Sequence, residues 1–142
     1  MRDLKDILFR GIQRDSGEWI IGDLQHCMNG DIQIWPLDDE LTRDLYPNQY
    51  VIPETVGQYT GLKDKDGVNI FEGDIVRICC GHPDETTINE ILFEDGEWRA
   101  ETIGGDYDSL YNQIINCEHE TEVIGNIHDY PQLLKEVRDD TR

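Results

Sequence analysis

Cysteine and histidine lie close together in the sequence at three places, and these groups are the residues best suited to chemistry. The three groups are His26 with Cys27, Cys79 and Cys80 with His82, and Cys117 with His119. Zinc binds this mixture of thiolate and imidazole ligands. However, the separations within these groups differ from the C-x-x-C and H-x-x-x-H patterns that present two ligands from one turn. We therefore predict neither a metal site nor a cofactor. If a metal ion does bind, the candidate ligands are Cys80, His82, Cys117 and His119.

Catalysis would require more than these side chains. A cysteine nucleophile needs a base within hydrogen-bond reach and a third group that orients the base, and the sequence alone places no such set. A second cluster, Asp64, Asp66, Glu72 and Asp74, has the chemistry of an acid pair or of a Mg2+ or Ca2+ site. Its spacing lacks the regular oxygen ligands and the terminal Glu of an EF-hand loop, and turn formation accounts for it better. The sequence therefore favours a binding protein over an enzyme.

The charge of the chain narrows the class of partner. Its 142 residues include 31 Asp and Glu against 12 Lys and Arg, for a formal net charge of -19. This surplus repels phosphate backbones, so we expect no direct contact with nucleic acid. The same surplus accelerates the encounter with a basic protein.

The apolar pattern and the cysteines predict the cellular compartment of the protein. No window approaches about 20 consecutive apolar residues, and residues 1–9 lack the apolar stretch and cleavage site of a secretory signal. We expect a cytoplasmic protein that does not enter a membrane and that keeps its four cysteines reduced.

The elements that must position these residues are short strands. Apolar residues alternate with period two, and Gly, Asp and Asn interrupt them regularly, which predicts a β-rich chain with tight turns. A first hairpin is expected from residues 7–13 and 18–24 around the Arg14–Gly17 turn. Residues 36–47 are acidic and irregular, and they predict a loop or a short helix.

The second half of the chain repeats this pattern. Residues 86–93 and 97–102 flank Asp95-Gly96 and predict another hairpin, and residues 122–127 predict the last strand. Pro131 at a first helical position predicts a short C-terminal helix. Sharp bends that lead directly into strands favour a small barrel for this half.

Several segments resemble the YopX family of phage and prophage proteins. The main ones are PETVGQYTGLKDKDG at residues 53–67 and IFEGDIV at residues 70–76. Shorter matches are Phe9-Arg10-Gly11, Gly17-Glu18-Trp19 and Gly22-Asp23-Leu24 upstream, and VIGNI at residues 123–127 followed by Pro131 downstream. The resemblance covers about residues 7–134, while Tyr130 and the loop from Cys80 to Thr87 depart from the commoner pattern.

The resemblance implies a mainly β fold of the β-rich α+β kind in two joined β lobes. The N-terminal lobe, about residues 1–57, would consist of antiparallel β hairpins, and the C-terminal lobe, about residues 58–142, would form a small SH3-like barrel with a short C-terminal helix. The family has no assigned activity, so the resemblance carries over no catalytic residue. It implies a phage or prophage protein in the cytoplasm of a bacterial host.

Two functions are favoured at this point, ahead of an enzyme or a Cys/His metal-binding protein. The first is a non-enzymatic module that binds a host or phage protein through an acidic surface, in its sharper form as a mimic of nucleic acid. The second is a homo-oligomeric structural or assembly protein, whose interface would use Trp19, Trp35, Trp98 and Tyr59. For partner binding the sequence points to the polar residues Glu54, Gln58, Lys63 and Asp64.

Overall fold

The structure is a computed structural model of the chain. It describes residues 3–36, 49–79, 86–102, 107–111 and 120–129. Within these ranges the protein is mainly β, as predicted, and its helical elements include the short 3-10 helices Leu4–Asp6 and Pro53–Thr55. Nearly all of the expected loop at 36–47, and the expected C-terminal helix, lie outside the described residues.

The first five strands form one antiparallel sheet in the order β3-β2-β1-β4-β5. Their bounds are β1 Phe9–Ile12, β2 Trp19–His26, β3 Ile32–Pro36, β4 Gly57–Lys63 and β5 Asn69–Phe71. Phe9 pairs with Gly22, and Ile12 pairs with Trp19. The hairpin predicted around Arg14–Gly17 is therefore confirmed.

The remaining strands form a second antiparallel sheet in the order β10-β6-β7-β8-β9. Their bounds are β6 Asp74–Cys79, β7 Thr86–Glu94, β8 Glu97–Thr102, β9 Tyr107–Ser109 and β10 Thr121–Asn126. Glu94 pairs with Glu97 across the predicted Asp95-Gly96 turn, so this hairpin is confirmed as well. Over the described residues the second sheet is open, with β10 and β9 at its edges, and no closed barrel forms.

The chain divides into two compact units, Met1–Tyr59 (unit 1) and Thr60–Arg142 (unit 2). The core of unit 1 is small, and its buried residues are Ile20, Ile34 and Val51. Gly11 lies directly against this core, because a Cβ at Gly11 would be 3.1 Å from the Cβ of Val51. A side chain at this position would therefore crowd Val51 and Ile34.

Unit 2 has the larger apolar cluster. Its buried members are Ile70, Val76, Ile78, Ile91, Ala100 and Leu110. Within this unit, the turn after β4 is hydrogen-bonded to the edge strand β10. The N–H of Lys65 donates to the carbonyl of Thr121 at 2.9 Å. The N–H of Val123 in turn donates to the carboxylate of Asp64 at 3.0 Å. These two hydrogen bonds satisfy backbone groups at the edge of the sheet.

Candidate partner-binding surface

The four residues predicted to bind a partner are divided between the two units. Glu54 is exposed in the 3-10 helix Pro53–Thr55, and Gln58 is half-buried on β4, where it pairs with Phe9. Both belong to unit 1. In unit 2, Lys63 is exposed at the end of β4, whereas Asp64 is buried. Glu54 and Lys63 are therefore the two that present a charge to solvent.

Asp64 faces the interior of unit 2. Its exposed fraction is 8%, and its Oδ1 accepts hydrogen bonds from the N–H groups of Asp66 at 2.8 Å and Val68 at 2.9 Å. Its Oδ2 accepts from Val123 at 3.0 Å. Both carboxylate oxygens thus accept hydrogen bonds from backbone N–H groups. This structural role accounts for the aspartate at this position.

Threonines in the same segment, PETVGQYTGLKDKDG at residues 53–67, also form hydrogen bonds with backbone groups. The hydroxyl of Thr55 donates to the carbonyl of Ile52 at 2.6 Å and accepts from the N–H of Ile12 at 2.9 Å. The hydroxyl of Thr60 donates to the carbonyl of Ile70 at 2.7 Å. These contacts tie the 3-10 helix to β1 and β4 to β5, so much of the segment's polar character is structural.

The aspartate of IFEGDIV has a similar role. Asp74 is 1% exposed, and its carboxylate accepts from the N–H of Phe71 at 2.7 Å, closing the turn through Gly73. Gly73 has a φ of +89°, which glycine adopts without strain. Its N–H donates to Ile91 at 2.8 Å, and its carbonyl accepts from Ile127 at 2.9 Å. The turn is therefore hydrogen-bonded on both sides within unit 2.

Metal ligation finds no support in the described residues, which contain no group of three or more His, Cys, Asp or Glu side chains suited to a metal ion. Cys80, His82, Cys117 and His119 lie outside those residues. Cys27 and Cys79 are half-buried, and neither is in a disulfide bond.

The large aromatic residues considered for an oligomer interface are mostly engaged within their own unit. Tyr59 is 4% exposed, and burial raises the pKa of its hydroxyl, with a further increase from the carboxylate of Asp6. The indole N–H of Trp35 donates to the side chain of Gln25 at 2.7 Å. Trp98 packs against the core of unit 2 and meets the ring of Phe93 edge-on at 4.9 Å. Phe93 itself is half-exposed, so a large apolar ring does reach solvent at this hairpin.

Arg99 is surrounded by carboxylates at the end of the β7-β8 hairpin. Its guanidinium lies 2.9 Å from Glu97, 3.2 Å from Asp95 and 3.5 Å from Glu94. The side chain of Arg99 is only 10% exposed, while that of Asp95 is 83% exposed. The guanidinium is thus buried, whereas the carboxylates around it are exposed.

Other arginines in the described part of the chain are also engaged. Arg77 forms an ion pair with Glu122. The guanidinium of Arg10 lies 4.7 Å from the ring centroid of Trp19, which is the geometry of a cation–π contact. Arg14 lies over the ring of Tyr50 at the same distance of 4.7 Å.

Many carboxylates of the described residues remain exposed. They are Asp3, Asp6, Asp15, Glu18, Asp23, Glu54, Asp66, Glu94, Asp95, Glu97, Glu101, Glu120 and Asp129. They come from both units and from turns as well as strands, so no single local motif collects them.

A sequence model of the family described as YopX protein matches residues 8–135 of this chain. The chain belongs to the YopX family. This confirms the resemblance inferred from the PETVGQYTGLKDKDG and IFEGDIV segments. No curated protein matches the chain.

Solved structures similar to this chain include two bacterial proteins. Protein EF1440 from Enterococcus faecalis is 29% identical, with a TM-score of 0.52 over 90% of this chain and 97% of its own. Protein yopX from Bacillus subtilis is 20% identical, with a TM-score of 0.57 over 89% of this chain and 95% of its own. The second similarity bears on the fold alone. The described residues of this YopX-family chain contain no helix with the length and apolar character that a membrane crossing requires.

Proposed function

We propose that this YopX-family protein is a non-enzymatic binding module, of phage or prophage origin, that engages a basic host or phage protein through an acidic surface. The observation that supports this proposal is the contrast between the two kinds of charge. Carboxylates are exposed in both units, whereas Arg77 and Arg99 are paired with carboxylates and Arg10 lies against an indole ring.

The physical consequence is a surface on which negative charge is poorly compensated. An arginine that already pairs within the molecule neutralises its own partner but does not offset distant carboxylates. With a formal net charge of -19, the remaining field attracts a basic surface and raises the rate of encounter. Exposed charges are screened beyond about 10 Å at moderate ionic strength, so the affinity should fall steeply with salt.

The test starts with the full chain immobilised and a nuclease-treated lysate of the bacterial host, washed at low and then moderate salt. We expect one basic protein that survives nuclease and leaves with salt. Its affinity for the purified chain is then measured across salt concentrations. Competition by duplex DNA for the partner would support the sharper form, in which the acidic surface mimics nucleic acid.

Charge-changing variants give the decisive comparison. Glu54→Gln should weaken binding of the basic partner, and Lys63→Gln should strengthen it, because both side chains are exposed and differ in sign. An affinity independent of salt, or equal effects of the two variants, would contradict the acidic surface. If no partner is retained and light scattering gives a closed oligomer, the assembly function replaces this one.

A further inference from the structure

Unit 2 contains a cavity that the proposed binding function does not use. Its volume is about 450 Å³, and its lining residues are Lys65, Arg77, Cys79, Thr86, Glu120 and Glu122. Pockets that bind small molecules span roughly 300 to 1,000 Å³. The cavity is therefore large enough for a small ligand.

The strand register explains how the lining comes together. Arg77 pairs with Glu122 across β6 and β10, and Cys79 pairs with Thr86 across β6 and β7. Side chains two residues apart on a strand point to the same face, so Arg77 and Cys79 share one face of the sheet. The ends of three neighbouring strands thus form one wall of the cavity.

The turn after β4 supplies another part of the lining. The N–H of Lys65 donates to the carbonyl of Thr121 at 2.9 Å, which fixes the Lys65 backbone beside the residue that follows Glu120. A lysine and a glutamate are therefore brought to the cavity from segments far apart in the sequence.

The charges of the lining are balanced in number but differ in their engagement. Arg77 and Glu122 form an ion pair with each other. In the part of the chain that the structure describes, the side chains of Lys65 and Glu120 form no hydrogen bond or ion pair, and both residues are exposed. The cavity therefore offers one uncommitted ammonium group and one uncommitted carboxylate.

We propose that this cavity binds a small zwitterion, namely a free α-amino acid or a short peptide. The carboxylate of the ligand would pair with Lys65, and its ammonium group would pair with Glu120. A simple anion is disfavoured because it would meet two glutamates, and a simple cation would meet Lys65 and Arg77. A ligand with both charges satisfies both free groups at once.

The first experiment is calorimetric titration of the full-length protein with individual amino acids and dipeptides. Each binder is compared with two analogues that keep its side chain but lack either the amino or the carboxyl group. We expect the zwitterion to bind at least about tenfold more tightly than either analogue, since each loses a charged hydrogen bond. Equal binding of an analogue, or no binding across the set, would overturn the proposal.

Variants test the assignment of the two groups. Lys65→Gln and Glu120→Gln should each weaken zwitterion binding by about tenfold. The matched controls Lys5→Gln and Glu101→Gln remove exposed charges of the same sign outside the cavity lining and should leave binding unchanged. Thermal unfolding confirms that each variant is folded. Equal losses in the lining variants and their controls would show a general charge effect and would refute the site.

Discussion

Two turns of unit 2 contain the same dipeptide between strands, yet their surroundings differ. Asp66-Gly67 lies between β4 and β5, and Asp95-Gly96 lies between β7 and β8. The glycines have nearly the same left-handed φ, 81° and 80°. In the first turn a preceding aspartate, Asp64, is buried and reaches across to Val123, whereas the second turn projects its carboxylates to solvent.

The backbones of the two turns also differ. Asp95 has a φ of 51°, so both central residues of that hairpin are left-handed, as in the two-residue turns that match strand twist. Asp66 does not have a positive φ, and the N–H of Gly67 instead donates to the carbonyl of Asp64 at 3.1 Å. The dipeptide thus ensures a turn, while the flanking residues decide its type and whether it joins the rest of the unit.

The strongest test of this comparison is Asp64→Ala. The change leaves three backbone N–H groups without their acceptor, and each lost hydrogen bond costs about 1 kcal/mol, so the free energy of unfolding should fall by about 3 kcal/mol. Urea denaturation measures the loss.

The control for that prediction is Asp66→Ala, which alters an exposed aspartate two residues away. Its effect should stay within about 0.5 kcal/mol. Similar losses for the two variants would show that the carboxylate of Asp64 has no special role in holding the turn to β10.

The two glycines allow a direct comparison of backbone cost. A Cβ at Gly67 or Gly96 would meet no atom within 4 Å, so only the left-handed conformation opposes Gly67→Ala and Gly96→Ala. Both should lower the free energy of unfolding by about 1 kcal/mol, measured by the same denaturation. If the losses for the two variants differ by more than about 1 kcal/mol, the surroundings of one turn must contribute to its loss.

The smallest effect is expected for Asp95→Asn. Asparagine tolerates a positive φ as well as aspartate does, and the lost ion pair with Arg99 involves a carboxylate that is 83% exposed. Arg99 also keeps Glu97 at 2.9 Å. Asp95→Asn should therefore lower the free energy of unfolding by no more than about 0.5 kcal/mol, measured by urea denaturation. A loss near that of Asp64→Ala would remove the contrast between the two turns.

The hairpins were accessible to sequence reasoning because their causes are local. Glycine and aspartate specify turns over four or five residues, and alternating apolar residues specify the strands on either side. Register and pairing in β1-β2 and β7-β8 then follow from the short connections. The exposure of Glu54 and Lys63 is also consistent with their charge alone.

The inward position of Asp64 could not be predicted in the same way. Its partner Val123 lies 59 residues further along the chain, so nothing near Asp64 in the sequence signals the contact. The cavity has the same origin, since Lys65, Cys79 and Glu120 come from separate segments. Cysteine and histidine pairs were conspicuous in the sequence, whereas the uncommitted Lys65 and Glu120 carried no motif.

By itself, the sequence determined that this protein is a β-rich chain of tight hairpins with a large negative charge, and its PETVGQYTGLKDKDG and IFEGDIV segments identified the YopX family. Those properties depend on composition and on neighbours along the chain. Only the tertiary structure decided which polar side chains form hydrogen bonds with the backbone and which can contact a ligand or a partner. The reason is that burial and hydrogen bonding bring together residues that are remote in sequence. Asp64 and Lys65 are adjacent, yet the first is buried in a turn and the second lines a cavity.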